Sequence, residues 1–233
     1  MTAFGYLLGK ELRGVFLQPI AWVLMAVFLL VMGYTFATGL ALTKTAALSR
    51  VVFQAATLLL LLIPLVTMRL LAEEQRHGTL EMLLATPVRE PHIVLAKFVA
   101  SMALVVAMLA PTVVCAVVLA IFGQPEWGPI YSGYVGLLLL ASFLSAMGLA
   151  LSALTSNQVV AATLALGLSL LLWMIDTLSA VLPAPWDELF LHVSLLARFT
   201  PFATGAMYLS DAGFFISGTL FALFCAVRAL ARG

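Results

Sequence analysis

Long apolar runs separated by short polar breaks dominate the chain. Six runs stand out, at about Ile20–Leu42, Val51–Leu71, Ile93–Phe122, Tyr131–Leu154, Val159–Leu182 and Ala212–Leu230. A helix needs about 20 apolar residues to cross a hydrocarbon core, so the pattern predicts six spanning helices. The runs are continuous and rich in Leu and Ala, without the ~10-residue alternation of a membrane β-barrel. Pro19 suits the first turn of the first span. Pro111 falls inside the third run and should kink or break it. Ahead of the first span, Phe4, Leu7, Leu8, Leu12, Val15 and Phe16 recur at helical spacing, interrupted by Lys10, Glu11 and Arg13. This pattern predicts an amphipathic helix within residues 1–18, lying along the membrane interface. Two other connections are longer than a turn. Residues 72–92 link the second and third spans. Residues 183–210 link the fifth and sixth, with an apolar stretch, Leu189–Phe199, that is too short to cross and reads as a short surface or re-entrant helix.

Composition agrees with this reading. Hydrophobic residues make up 64% of the 233 residues and charged residues 9%, against about 25% charged in a soluble domain. So few charges cannot cover a water-facing surface, and the chain reads as a single all-α integral membrane domain over residues 1–233. Six spans place both termini on one side. Lys10, Arg13, Arg69, Arg76, Arg89, Lys97, Arg228 and Arg232 fall on that side, and Lys44, Arg50 and Arg198 on the other. The positive-inside rule then predicts cytoplasmic termini. Trp22, Trp127, Tyr131 and Trp186 fall near predicted interfaces, whereas Trp173 reads as a packing residue. Cys115 and Cys225 lie inside apolar runs and read as small hydrophobes.

The most particular segment is the connection after the second span. It reads Met68-Arg69-Leu70-Leu71-Ala72-Glu73-Glu74-Gln75-Arg76-His77-Gly78-Thr79-Leu80-Glu81-Met82-Leu83-Leu84-Ala85-Thr86-Pro87-Val88. Gly78 can end a charged helical extension, Thr79 can cap a new short helix, and Pro87 stops that helix at Thr86. Leu80, Leu83 and Leu84 then share one side of it, with Glu81 on another. A short stiff element of this kind can dock in a groove of a second protein and pass motion to the spans on either side.

This string resembles the Gly-Thr-Leu-Glu…Thr-Pro signature of ABC-2-type exporter permeases, with the small gliding-motility-type permeases as the nearest subgroup. Lys10-Glu11-Leu12…Gln18-Pro19-Ile20 and the turn Thr155-Ser156-Asn157 resemble that subgroup too. The resemblance implies a type V exporter-like arrangement, in which six spans follow an interfacial helix. Residues Gly78–Thr86 would form the coupling helix seated in a nucleotide-binding subunit. Glu73, Glu74, Gly78, Thr79, Leu80, Glu81, Leu83, Leu84, Thr86 and Pro87, with Arg76 beside them, would make the partner contact. It further implies a bacterial or archaeal inner membrane, and an assembly of two permeases with two ATPases, the second permease being another copy or a homologue.

The 233 residues contain no G-x-x-x-x-G-K-[ST] phosphate loop. ATP and Mg are therefore expected on the partner, with no cofactor, metal or nucleic acid bound by this chain. No H-E-x-x-H, paired aspartate or Ser/His constellation supports an intramembrane enzyme. Inside the spans Asp176 is the acidic candidate for a substrate or gating contact, and Pro111 marks the one broken helix; together these are the only hints of a secondary transporter. A regulatory membrane subunit that moves no solute is the other alternative. Gly33-x-x-x-Ala37 and Ala146-x-x-x-Ala150 are candidate close helix contacts.

Overall fold

The structure is a computed structural model and describes residues 3–43, 48–76, 78, 89–122, 126–179 and 186–231. Among these residues every regular element is helical. The amphipathic helix α1 (Ala3–Leu17) leads into the first long helix, α2 (Pro19–Thr43). Then come α3 (Ser49–Thr67), the short α4 (Ala72–Arg76) and α5 (Glu90–Leu109). A 3₁₀ turn at Ala110–Thr112 joins α5 to α6 (Val113–Phe122). The long α7 (Trp127–Ala153) and α8 (Gln158–Ser179) follow. Two short helices, α9 (Trp186–Val193) and α10 (Leu195–Thr204), precede the last, α11 (Leu209–Leu230). Six stretches are long and apolar enough to cross a membrane: Pro19–Leu40, Ser49–Arg76, Glu90–Ile121, Trp127–Ala153, Gln158–Thr177 and Leu209–Leu230.

The spans reverse direction one after another. One end of the bundle therefore gathers α1, α4, the start of α5, the α7–α8 turn and the end of α11. The other end gathers the start of α7 with α9 and α10. The centre is α7, which packs against α3, α5, α8, α10 and α11. The windows of α3 and α7 are 61% buried and those of α2 and α8 22%, so the outer pair presents its apolar side chains to lipid. Val27, Leu30 and Tyr34 on α2 and Leu164, Leu168 and Leu171 on α8 are all exposed.

Lipid chains are as apolar as leucine, so close packing rather than hydrophobic burial must hold such helices together. Glycines of α7 provide the close approach. At Gly148 a Cβ would overlap the Thr67 side chain, and at Gly136 it would lie 2.5 Å from Cβ of Phe202. The pair Gly33/Ala37 is different: both residues are exposed, and a Cβ at Gly33 would meet nothing within 4 Å. Pro111 does break the third span, because α5 stops at Leu109 and resumes as α6 at Val113. The freed geometry is fixed by Thr112, whose hydroxyl donates to Leu109 O at 2.6 Å and pairs with Tyr134 Oη at 2.8 Å.

The stretch Leu189–Phe199 is split at Ser194, which caps α10 by accepting from Ala197 N at 3.1 Å. Far from lying on the surface, α10 sinks Phe199 and Phe202 into the bundle, both almost wholly buried. It ends at Gly205, whose φ of 100° is the left-handed conformation that closes many helices. Beside it Arg198 donates to Asp211 Oδ1 at 2.6 Å, pinning α10 to the first turn of α11.

Candidate functional site: the stem of the 72–92 loop

The second span keeps α-helical geometry only to Thr67, short of Leu71. Residues 68–71 form a turn, and α4 begins at Ala72. Two backbone donors released at this break find one side chain on α7. Ser152 Oγ accepts from Leu71 N at 3.2 Å and from Ala72 N at 2.9 Å, and donates to Met68 O at 3.2 Å. Gln75 Nε2 adds a bond to Ala153 O at 2.9 Å. Buried backbone groups must be paired, and here a single serine hydroxyl satisfies three of them. The break is thus a built joint between α3 and α4, held on the end of α7.

A buried ion cluster lies against this joint. Lys97, about two turns into α5, is 2% exposed. Its Nζ lies 3.2 Å from Glu11 Oε2 on α1 and 2.8 Å from Glu74 Oε1 on α4. A buried ammonium must be paired and hydrogen-bonded to remain charged, and two carboxylates from two helices provide this. Glu11 belongs to the same stripe as Leu7 and Val15, spaced by four residues, all three turned inward. Its place among the polar interruptions of α1 is therefore only apparent: it is the charged member of the buried face. Phe4 meets His92 edge to ring at 5.9 Å and extends the α1–α5 contact toward the start of α5.

The predicted site residues distribute as follows. Glu73 is half-buried on α4, Glu74 is turned toward Lys97, and Arg76 is exposed. Gly78 is exposed with φ of 65°, the left-handed conformation expected of a residue ending a helical segment. Thr79, Leu80, Glu81, Leu83, Leu84, Thr86 and Pro87 lie outside the described residues. Asp176 sits half-buried near the far end of α8 and accepts from Thr177 N at 2.9 Å. Pro111 is exposed in the 3₁₀ turn. Neither is near the stem. The structure adds Glu11, Lys97, Gln75 and Ser152, which lie in α1, α5, α4 and α7. The inward phase of Glu11 on an otherwise apolar stripe was the one local signal for any of them.

Among the described residues, six membrane-length helices, five of them around the central α7, with a charged, jointed loop stem at one end, define a polytopic α-helical membrane protein. The family model for ABC-2 family transporter proteins matches residues 10–182, and the chain belongs to that family. No curated protein matches it. The matched region runs from α1 through the loop stem to the far end of α8, so it contains the stem but not α9–α11. Membership makes the chain a membrane component of an ABC transporter, a class whose ATPase is a distinct component.

Proposed function

We propose that this chain is the permease subunit of an ATP-driven exporter, and that a separate ATPase subunit drives it through residues Gly78–Thr86. The observation that carries this reading is the construction of the loop stem. Both strands of the connection, α4 leaving and α5 returning, are tied to Lys97, and the leaving strand is tied again to α7 through Ser152 and Gln75. A push on the loop therefore reaches α1, α5 and α7 together. That is the property required of a part that converts nucleotide-driven closure of a partner into reorientation of spans, a ligand-biased two-state change.

In this reading ATP and Mg bind only to the partner. Two permease chains, identical or homologous, work with two ATPases, in keeping with the twofold closure common among oligomers. The loop end faces the cytoplasm of a bacterial or archaeal inner membrane, as the excess of Lys and Arg there supports.

The test co-expresses the chain with a candidate ABC ATPase subunit from the same genome. Glu81→Lys is expected to lower both complex yield and permease-stimulated hydrolysis while membrane insertion stays normal. Unchanged yield and unchanged stimulation would remove the coupling role from this element. Sidedness is read in the same membranes with an impermeant thiol reagent applied from outside, with Cys115 and Cys225 replaced. A cysteine at exposed Glu126 should label and one at exposed Asn157 should not; the reverse pattern overturns the orientation.

A further inference from the structure

At the loop end of the bundle, between α1, α2, α3 and α5, lies a cavity of about 220 Å³. Its wall has two chemistries. Arg69, Lys10 and Gln18 contribute to its polar lining, and Leu24, Leu65 and Leu104 to its apolar lining. Arg69 decides what the cavity is for. It sits in the turn after α3, and its Nε is buried without a hydrogen-bond partner. A buried N–H of a guanidinium that lacks an acceptor is costly, so an acceptor that the protein itself does not supply is the expected occupant. Of the neighbouring carboxylates, Glu11 Oε2 and Glu74 Oε1 are engaged by Lys97.

From this geometry we infer that the cavity is a phospholipid site, with the lipid phosphate on Arg69 and Lys10 and an acyl chain on the apolar wall. Three observations select this occupant. Arginine is the side chain best matched to a phosphate. The apolar lining includes Leu24 of α2, a helix with only 22% of its spanning window buried, so the cavity lies beside a lipid-exposed helix. Aromatics agree as well: Trp22, whose Nε1 donates to Phe16 O at 2.8 Å, and Tyr6 are exposed on α2 and α1, two of the helices that line the cavity, and such aromatics favour the membrane interface. Glu73 also borders the cavity, and its charge favours a monoanionic phosphodiester over a dianionic free phosphate. The site is independent of the ATPase reading, since it requires only that the chain lie in a membrane.

The experiment is native mass spectrometry of the full-length chain in detergent, loaded with dioleoyl phosphatidylglycerol. Dioleoylglycerol, which has the same tails and no phosphate, and inorganic phosphate are the controls. Expected are one retained phosphatidylglycerol per chain, no retained dioleoylglycerol, and no displacement by phosphate. Arg69→Gln should lower retention about tenfold, the loss of one charge-assisted contact, and Arg69→Lys should restore part of it. If Arg69→Gln fails to fold, Gly14→Leu decides the matter. It narrows the cavity from α1 with every charge in place, and a Cβ there meets nothing within 4 Å. Gly14→Leu should also exclude the lipid. Equal retention in both variants, equal retention of dioleoylglycerol, or release by inorganic phosphate overturns the proposal.

Discussion

Replacing Lys97 by Met removes the cation of the buried cluster and keeps most of the side-chain volume. Two carboxylates then face each other without it, one side chain 10% exposed and the other 20%. Removing one partner of a buried ion pair costs about 3–5 kcal/mol, mostly because the remaining charge stays desolvated. Glu74 keeps some contact with water, so the lower end of that range, about 3 kcal/mol, is the expected loss. For a chain of this size each kcal/mol moves the melting temperature by about 2–4 °C, giving a fall of about 6–12 °C. Thermal unfolding of the purified chain in detergent, followed by tryptophan fluorescence, reads this directly. The decisive comparison is the triple variant Glu11→Gln/Glu74→Gln/Lys97→Met. Replacing a whole buried cluster by neutral groups is often neutral, so the triple variant should melt above the single one, within about 3 °C of wild type. A single variant that melts like wild type would refute the buried-charge argument. A triple variant no better than the single one would move the explanation to the packing of the lysine stem.

Gly148→Ala should destabilise the bundle by about 1–3 kcal/mol, because the new methyl overlaps Thr67. Thr67→Ala in the same chain should recover part of the loss, whereas Gly9→Ala, where a Cβ meets nothing within 4 Å, should be neutral or stabilising in the same melting assay. Ser152→Ala should cost about 1–3 kcal/mol by leaving the Leu71 and Ala72 amides without their acceptor. Hydrogen exchange should accelerate at those two amides and not at Ala161, whose N–H is held by Asn157 O at 3.0 Å. Uniform exchange would show that the joint does not depend on the serine.

The six spans were legible because lipid imposes a simple rule on sequence: an uncharged run of sufficient length must be a helix. The break at Pro111 was expected from the donor that a proline removes, although Pro64 stands inside α3 without ending it. Gly78 also behaves as its residue type requires. The residues that organise the stem were not readable in the same way. Lys97 and Glu11 are 86 positions apart; Lys97 alone looks like an ordinary interfacial charge, and the inward phase of Glu11 does not name its partner. Ser152 sits in an apolar span where a hydroxyl usually returns to its own helix, as Thr219 does to Phe215 O at 2.7 Å. At Gly33/Ala37 the small-residue spacing makes no contact within the chain, because the pattern is common in apolar helices and only three-dimensional proximity shows which helix, if any, lies against it. The apolar stretch through Phe199 was ambiguous for a related reason: length excludes a span but does not distinguish a surface helix from one sunk into the bundle.

The two strands of the loop are held differently, and under the proposed function this sets how force divides between them. The leaving strand is fixed at two points, to Lys97 and to Ser152, across a joint that has already released its α-helical bonds. It can swing about residues 68–71 but cannot slide. The returning strand is α5, unbroken over 20 residues from Glu90 to Leu109, a rod of about 30 Å. Its next point of compliance is the 3₁₀ turn at Ala110–Thr112, anchored on α7 through Tyr134. A force entering at the loop would therefore turn α5 about that distant anchor, while Lys97 drags α1 along with the near end. The largest displacement then falls where α5, α1 and α4 meet, and the smallest beyond Pro111. Motion driven from the loop is thus predicted to open the loop end of the bundle first, with α10 kept on α11 by the Arg198–Asp211 pair.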